Sequence, residues 1–123
     1  MRACRTARVA LVIEDEWLVR ANIVSELRER GWTVVDTATG EDALALLAGG
    51  EVDFVLTDIQ LAGPMNGWDV AHAARSAKPD LPVIYASANV SDPLSRVEGS
   101  LFFSKPYDPA DVVAACHLLA ATV

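Results

Sequence analysis

The residues best placed for chemistry are polar side chains that follow short apolar runs directly. They are Glu14, Asp15, Glu16, Asp58, Ser87 and Lys105. Asp58 is the most informative, because only Thr57 separates it from the apolar run Phe-Val-Leu. A buried carboxylate is costly unless it is paired or hydrogen-bonded. An acid carried to the end of a core segment therefore indicates a site where other charged groups gather.

The spacing of the acids suggests a cation site. If the runs before Glu14 and Asp58 form neighbouring strands, about 4.8 Å separates them, and Glu14, Asp15 and Asp58 crowd one small pocket. Two unit charges about 4 Å apart repel by about 4 kcal/mol at an effective dielectric of about 20. The acids therefore need raised pKa values or a cation. Mg²⁺ suits this set, because proteins hold it with one or two carboxylates and several waters.

The whole set matches phosphoryl transfer to a carboxylate. Asp58 would be the nucleophile and would form an aspartyl phosphate. The metal ion would bridge the attacking oxygen and the phosphoryl group, while Lys105 would offset charge on another phosphoryl oxygen. Ser87 adds a hydroxyl donor. Catalysis would consist of positioning and electrostatic stabilisation.

Apolar runs alternate with helical patterns along the chain, which predicts five strands and five helices. The strands are predicted at residues 9–13, about 32–37, 54–58, 81–87 and 101–106. The helices are predicted from residue 17 to about 30, from 40 to the glycines at 49 and 50, from about 68 to 77, within 89–100, and from 109 onward. The fourth helix would be barely two turns long with Pro93 at its first position, and Asp108 would cap the last.

Three of these helices carry apolar side chains at helical spacing, which predicts inward-facing surfaces. The inward residues are Val19, Ile23 and Leu27, then Ala43, Leu44 and Leu47, and finally Val112, Cys116 and Leu119. Strands that alternate with helices imply a parallel sheet covered on both faces. Right-handed crossovers narrow the topology to a doubly wound α/β fold, which binds ligands at the carboxyl ends of its strands.

Composition limits the possible classes of function. The length of 123 residues suits a single domain with one core. A net charge of −7, from 17 acidic and 10 basic residues, argues against a DNA-binding surface. The first apolar run is too short for a signal peptide, and no segment approaches a membrane span. Cys4 and Cys116 form no CxxC pair, so a cytoplasmic protein is predicted.

From about residue 7 to residue 123, the chain resembles the receiver domain of bacterial two-component response regulators. The matching segments are the acidic run in VIEDE, the acceptor in LTDIQL, the hydroxyl in YASA and the lysine–proline pair in FFSKPY. Each follows the expected strand, in the expected order. The resemblance implies a flavodoxin-like sheet of five parallel strands in the order 2-1-3-4-5, in a stand-alone receiver of a kind seen in alphaproteobacteria, with no output domain.

The resemblance also implies a magnesium site. Glu14 and Asp15 would be the acidic pair that organises Mg²⁺, with Asp15 as a direct ligand. Asp58 would be both the phosphoacceptor and a ligand. The backbone carbonyl of Gln60 would be the third protein ligand.

Switching residues and partners follow from the same resemblance. Ser87 would be the switch hydroxyl, Phe102 the switch aromatic and Lys105 the lysine that contacts the phosphoryl group, with a cis bond to Pro106. The phosphodonor would be a phosphohistidine on a sensor histidine kinase or a phosphotransfer protein. The chain would catalyse only its own phosphorylation and dephosphorylation, and its output would be contact with a downstream protein.

The chain departs from the usual receiver pattern in two places. The interval between Ser87 and Lys105 is short, so the fourth helix should be truncated and dimerisation through that face is doubtful. The loop LAGPMNG carries its proline later than is common. His72 and His117 are interpreted as ordinary surface or packing residues, and Phe102 remains open to interpretation as plain core.

Two other functions fit parts of the pattern. A constitutive adaptor would keep the fold without the chemistry, although the complete acid, hydroxyl and lysine set argues against it. A metal-dependent phosphatase or flavin carrier could share a flavodoxin-like sheet. The loop after Ile13 carries acids where a flavin phosphate would need Ser, Thr and Gly amides, which argues against the carrier.

Overall fold

The computed structural model describes residues 8–49, 52–88 and 96–121. Within these residues the five strands are β1 (Val9–Ile13), β2 (Thr33–Thr37), β3 (Phe54–Thr57), β4 (Val83–Ser87) and β5 (Leu101–Ser104). The helices are α1 (Trp17–Glu29), α2 (Gly40–Ala48), α3 (Gly67–Ala77) and α4 (Pro109–Ala121). None of these helices is long and apolar enough to cross a membrane.

The five strands form one parallel sheet in the order β2-β1-β3-β4-β5. The predicted flavodoxin-like topology is therefore confirmed. Ile13, the last residue of β1, lies opposite Thr37 of β2 and Thr57 of β3. Ser87 at the end of β4 lies opposite Ser104 of β5. The carboxyl ends of the strands thus meet along one edge, where the polar residues follow.

Helices cover both faces of the sheet, as the pattern predicted. One apolar cluster joins the sheet to α1 and α4, and it includes the fully buried Ile23, Leu27 and Cys116. The other joins the sheet to α2 and α3. The aromatic pair in β5 divides between them, because Phe103 packs on the first cluster and Phe102 on the second.

Side-chain caps set the starts of three helices. The hydroxyl of Thr39 accepts from the backbone N–H of Asp42 at α2. Asn66 and Asp69 form a reciprocal capping box at α3. Asp108 accepts from Ala110 N–H at 3.0 Å at the start of α4, which agrees with its predicted capping role.

Two predicted strands were too long at their carboxyl ends. β3 ends at Thr57 rather than residue 58, although the N–H of Asp58 still donates to the carbonyl of Ile13 at 2.9 Å. β5 ends at Ser104 rather than residue 106, and the bond between Lys105 and Pro106 that follows is cis. The cis bond was implied by the family resemblance and is confirmed.

The predicted fourth helix around Pro93 lies largely outside the described residues, as does Cys4. The described end of that segment, residues 96–100, forms turns rather than a helix. There the N–H of Val97 donates to the hydroxyl of Tyr85 at 3.1 Å, and Arg96 donates to the carbonyl of Ser100 at 2.6 Å. Tyr85 itself is fully buried in β4.

Candidate functional site

The sheet ladder carries two carboxylates to the same edge. β1 continues into Glu14, whose N–H donates to the carbonyl of Thr37 at 3.0 Å, and β3 continues into Asp58, whose N–H donates to Ile13. Both acids are buried, with exposed fractions of 3% and 6%. The predicted convergence of Glu14 and Asp58 is therefore present in the structure.

Lys105 supplies the positive charge that these acids require. Its ammonium lies 2.7 Å from Glu14 Oε1 and 2.7 Å from Asp58 Oδ2, and it also contacts Glu16 Oε1 at 3.2 Å. The backbone N–H of Lys105 donates to the carbonyl of Ser87 at 3.0 Å. The ends of β1, β3, β4 and β5 therefore meet around one lysine.

The acid that joins this cluster differs from the expected one. Carboxylate oxygens of Glu14, Glu16 and Asp58 lie within 4.8 Å of one another, whereas Asp15 is exposed and is not in the cluster. Glu16 has extended backbone angles but lies in a bend after β1, so the sequence pattern alone did not distinguish it from Asp15. The role of Asp15 as a metal ligand stays a prediction.

The donor set fits a hard cation. Three carboxylates converge where one ammonium group already lies. Carboxylate oxygens are the protein ligands that Mg²⁺ prefers, with waters completing its octahedron. Glu14 and Asp58 are the buried candidates for holding the ion, and Glu16 is the exposed one.

A comparison with known families decides what the fold and the site belong to. The pattern of the response regulator receiver domain matches residues 10–117. This chain belongs to that family. The two-component resemblance seen in the sequence is therefore confirmed.

Among curated relatives of this receiver domain, the sensor kinase CckA of Brucella abortus is 36% identical over 88 residues, which cover 70% of this chain and 9% of that protein. The probable transcriptional regulatory protein TcrX of Mycobacterium tuberculosis is 32% identical over 113 residues, covering 89% of this chain and 48% of that protein. The chain thus spans half or less of the length of these relatives.

Solved receiver structures match over nearly their whole length. A response regulator receiver protein from Sinorhizobium medicae superposes with a TM-score of 0.89 at 30% identity, covering 94% of this chain and 95% of that one. The response regulator TrrA from Thermotoga maritima, in complex with Mg²⁺ and BeF, gives a TM-score of 0.82 at 27% identity. It covers 91% of this chain and 98% of that chain.

The electrostatics of the receiver site favour an additional cation. Burial raises the pKa of Glu14 to about 7, although its hydrogen bond from Lys105 acts in the opposite direction. Burial alone would lower the pKa of Lys105, but hydrogen bonds to Asp58 and Glu14 raise it overall. Lys105 is therefore cationic at neutral pH, and its single charge is shared among three carboxylates.

Hydrogen bonds of the backbone fix the loop that carries Asp58 in this receiver domain. The N–H of Gln60 donates to Asp58 Oδ1 at 3.1 Å, so one carboxylate oxygen faces Gln60 and the other faces Lys105. The hydroxyl of Thr57 donates to the carbonyl of Asp58 at 2.7 Å, and the N–H of Gly67 donates to Ile59 at 2.7 Å. Ligation by the Gln60 carbonyl stays a prediction.

The two predicted switch residues lie on neighbouring strands. Ser87 is buried at the end of β4, and Phe102 in β5 pairs in register with Tyr85, two residues before Ser87. Phe102 is partly buried against the α2 and α3 side of the sheet. This placement is compatible with coupling between them, and their switching role stays a prediction.

A groove of about 480 Å³ opens beside Lys105. Its walls come from α1 and from the segment after β5, including Val19, Asn22, Pro106 and Tyr107. Burial raises the pKa of the Tyr107 phenol to about 12, so Tyr107 itself adds no charge to the groove at physiological pH. Lys105 and Glu16 also line the groove, so it adjoins the charged cluster.

Replacing Lys105 by methionine is expected to destabilise the metal-free protein. The side chains of Lys105, Glu14 and Asp58 are 12%, 5% and 7% exposed, and breaking a buried ion pair from one side costs about 3–5 kcal/mol. Urea unfolding at neutral pH should show that loss, and Mg²⁺ should restore part of it by neutralising the acids. At acidic pH the loss should shrink, because protonated carboxyls no longer repel.

The other lysine of the chain provides a matched control for that experiment. Lys78 donates to the single carbonyl of Val52 at 3.0 Å. Lys78→Met should therefore cost about 1 kcal/mol, without any response to Mg²⁺. If Lys105→Met and Lys78→Met lost the same free energy of unfolding and Mg²⁺ restored neither, the electrostatic account of Lys105 would be contradicted.

Proposed function

We propose that this receiver domain accepts a phosphoryl group on Asp58 in a Mg²⁺-dependent reaction. The donor would be a phosphohistidine on a sensor histidine kinase or a histidine phosphotransfer protein. Phosphorylation would then switch contacts with a downstream protein. The observation that carries the proposal is the ammonium of Lys105, held 2.7 Å from both Asp58 and Glu14 at the edge of the sheet.

The side chains divide the work of transfer between them. One carboxylate oxygen of Asp58 would attack phosphorus as the phosphorus–nitrogen bond of the donor breaks. The imidazole would leave with the electron pair of that bond and take up a proton from water. Gln60 N–H holds the other Asp58 oxygen, while Lys105 would move from its carboxylate partners to a phosphoryl oxygen and offset its charge.

Glu14, Glu16 and Asp58 are the acids that would hold Mg²⁺, and the family pattern adds Asp15 and the Gln60 carbonyl. When bound, the ion neutralises the acids and the incoming phosphoryl oxygens. The structure of TrrA with Mg²⁺ and BeF, at 27% identity, supports the same ion here. Burial of Glu14 and Asp58 supports it too, because uncompensated buried charge is costly.

The consequence of phosphorylation would be a population shift. A phosphoryl group on Asp58 would draw the Ser87 hydroxyl toward it and favour an inward position of Phe102, biasing an equilibrium that already exists. Phe102 is only partly buried against the α2 and α3 side of the sheet, which supports a side chain that can change position. Output would then pass through a protein surface near β4 and β5.

Labelling from purified donors tests this function. The protein is incubated with Mg²⁺ and a radiolabelled phosphoryl donor. The donor is either acetyl phosphate or a set of histidine kinases from one cell type that carry labelled phosphohistidine. We expect hydroxylamine and alkali to remove the label, as they do for an acyl phosphate. A chelator of Mg²⁺ should prevent labelling. Hydroxylamine-resistant label, or none from any donor, would overturn the proposal.

Hydrogen exchange tests the switch separately. Beryllofluoride with Mg²⁺ should change amide exchange in β4 and β5, around Ser87 and Phe102. If the protein accepts label but its amide exchange does not change, the result would favour an adaptor that binds its partners equally with and without the phosphoryl group.

A further inference from the structure

Arg20 links the acidic turn to the edge of the sheet. Its Nη1 donates to the backbone carbonyl of Glu14 at 2.7 Å, and its Nε lies 3.1 Å from Asp36 Oδ2 in β2. The Arg20 side chain is 23% exposed and that of Asp36 is 36% exposed. One guanidinium therefore bridges α1, β2 and the turn that carries the acids.

The carbonyl that Arg20 holds belongs to the peptide unit between Glu14 and Asp15. A peptide unit is planar, so a donor fixed on its oxygen also fixes the direction of the N–H and of the Asp15 Cα. The turn is further constrained where the N–H of Glu16 donates to Glu14 Oε2 at 3.1 Å. The orientation of this one peptide therefore influences where all three acidic side chains point.

Arginine is suited to this bridge and lysine is not. A guanidinium presents several donors in a rigid planar fork, whereas an ammonium is a single compact group. Arg20 uses two different nitrogens for its two partners. Asp36 also balances the charge of Arg20, so the guanidinium does not compete with Lys105 for the carboxylates of Glu14 and Asp58.

We propose that Arg20 is a positioning residue for the phosphoryl-transfer site, and that Asp36 orients it. Arg20 acts through the Glu14 carbonyl, which presets the acidic turn for its cation before any metal ion or phosphoryl donor arrives. This inference rests on the proposed function, because it assigns a role within the same site. Groups that orient metal ligands without touching the ion change metal affinity by about 10–100-fold when they are removed.

Arg20→Gln and Arg20→Lys test the proposal. Mg²⁺ is titrated by tryptophan fluorescence, to which the 70%-exposed Trp17 at the start of α1 contributes, and acetyl phosphate labelling is timed at saturating Mg²⁺. We expect the half-saturating Mg²⁺ concentration to rise about tenfold in both variants, with the saturated labelling rate within about twofold of wild type. Asp36→Asn should also raise the half-saturating Mg²⁺ concentration, but by a smaller factor.

Arg30→Gln is the matched control, because Arg30 follows the same helix and its side chain pairs with Glu26 at 3.1 Å, at the end of the helix far from the acidic turn. Arg30→Gln removes a comparable ion pair, so urea unfolding should show a comparable loss of stability. Its Mg²⁺ titration should stay unchanged. Amide spectra of the metal-free protein provide a readout without activity. Signals of Asp15 and Glu16 should move in Arg20→Gln and stay in place in Arg30→Gln.

The outcomes separate this inference from the proposed function. The wild-type protein could take label while Arg20→Gln and Arg30→Gln need the same half-saturating Mg²⁺ concentration. That result would overturn the role of Arg20 and leave the proposed function standing. Wild-type protein that neither binds Mg²⁺ nor takes label would overturn both. Equal shifts in the Arg20 and Arg30 variants would reduce Arg20 to a general stabilising contact, which also contradicts the proposal.

Discussion

Asp58→Asn is expected to reduce phosphoryl acceptance by a factor of at least about 10³, as loss of a nucleophile does in enzymes that use one. An amide oxygen is a far weaker nucleophile than a carboxylate. The substitution preserves shape, and the side-chain amide oxygen of the variant would still accept the N–H of Gln60, which now donates to Asp58 Oδ1 at 3.1 Å. Labelling with acetyl phosphate and Mg²⁺, followed over time, measures the loss.

The control for the acceptor experiment is Asp80→Asn. Asp80 is an exposed acid in the loop before β4, at the opposite edge of the sheet from Lys105. It should label like wild type, and thermal unfolding should show both variants folded. If Asp58→Asn took label at the wild-type rate, the phosphoryl group would be on another residue, and Asp58 would be excluded as the acceptor.

Gly67→Ala is expected to lower the free energy of unfolding by about 3 kcal/mol or more, the upper end for forcing atoms into a packed site. Gly67 is buried at the start of α3. A Cβ there would overlap the carbonyl oxygen of Asp58 and approach Ile59 Cα to 2.8 Å. Both obstacles are backbone atoms, so no rotamer change relieves the overlap. Urea unfolding measures the loss, and slower labelling would report displacement of Asp58.

Gly49→Ala is the corresponding control at the end of α2. Gly49 has an ordinary helical φ of −71°, and an added Cβ would lie 3.3 Å from the carbonyl of Leu46. The change should stay within about 1 kcal/mol. Comparable stability of the two alanine variants would show that the loop that carries Asp58 yields easily, and the predicted tight packing would then be wrong.

Strands buried on both faces were the most predictable part of the fold. β1 reads as a continuous apolar run, and its predicted bounds, Val9–Ile13, agree with the structure. Boundaries set by tertiary contacts were less accessible. β4 begins at Val83 rather than residue 81, because pairing with β3 decides where the ladder starts and local composition does not.

The core of the site was predictable for a related reason. In a parallel sheet, residues that follow adjacent strands converge whatever lies between them in sequence, so Glu14 after β1 and Asp58 after β3 could be brought together in advance. Glu16 could not be distinguished from Asp15, because that choice depends on the backbone angles of one turn. The Arg20–Asp36 bridge was also hidden, since it depends on the directions of two side chains on α1 and β2, which the predicted strand order does not give.

The assembly of one site from distant strands has a consequence for biosynthesis. Lys105 follows Asp58 by 47 positions, so a chain emerging from the ribosome exposes its acidic residues long before their counter-charge is translated. Under the proposed function, competence to take up a signal arrives only when β5 has docked. A nascent or C-terminally clipped polypeptide would consequently be silent toward phosphohistidine donors.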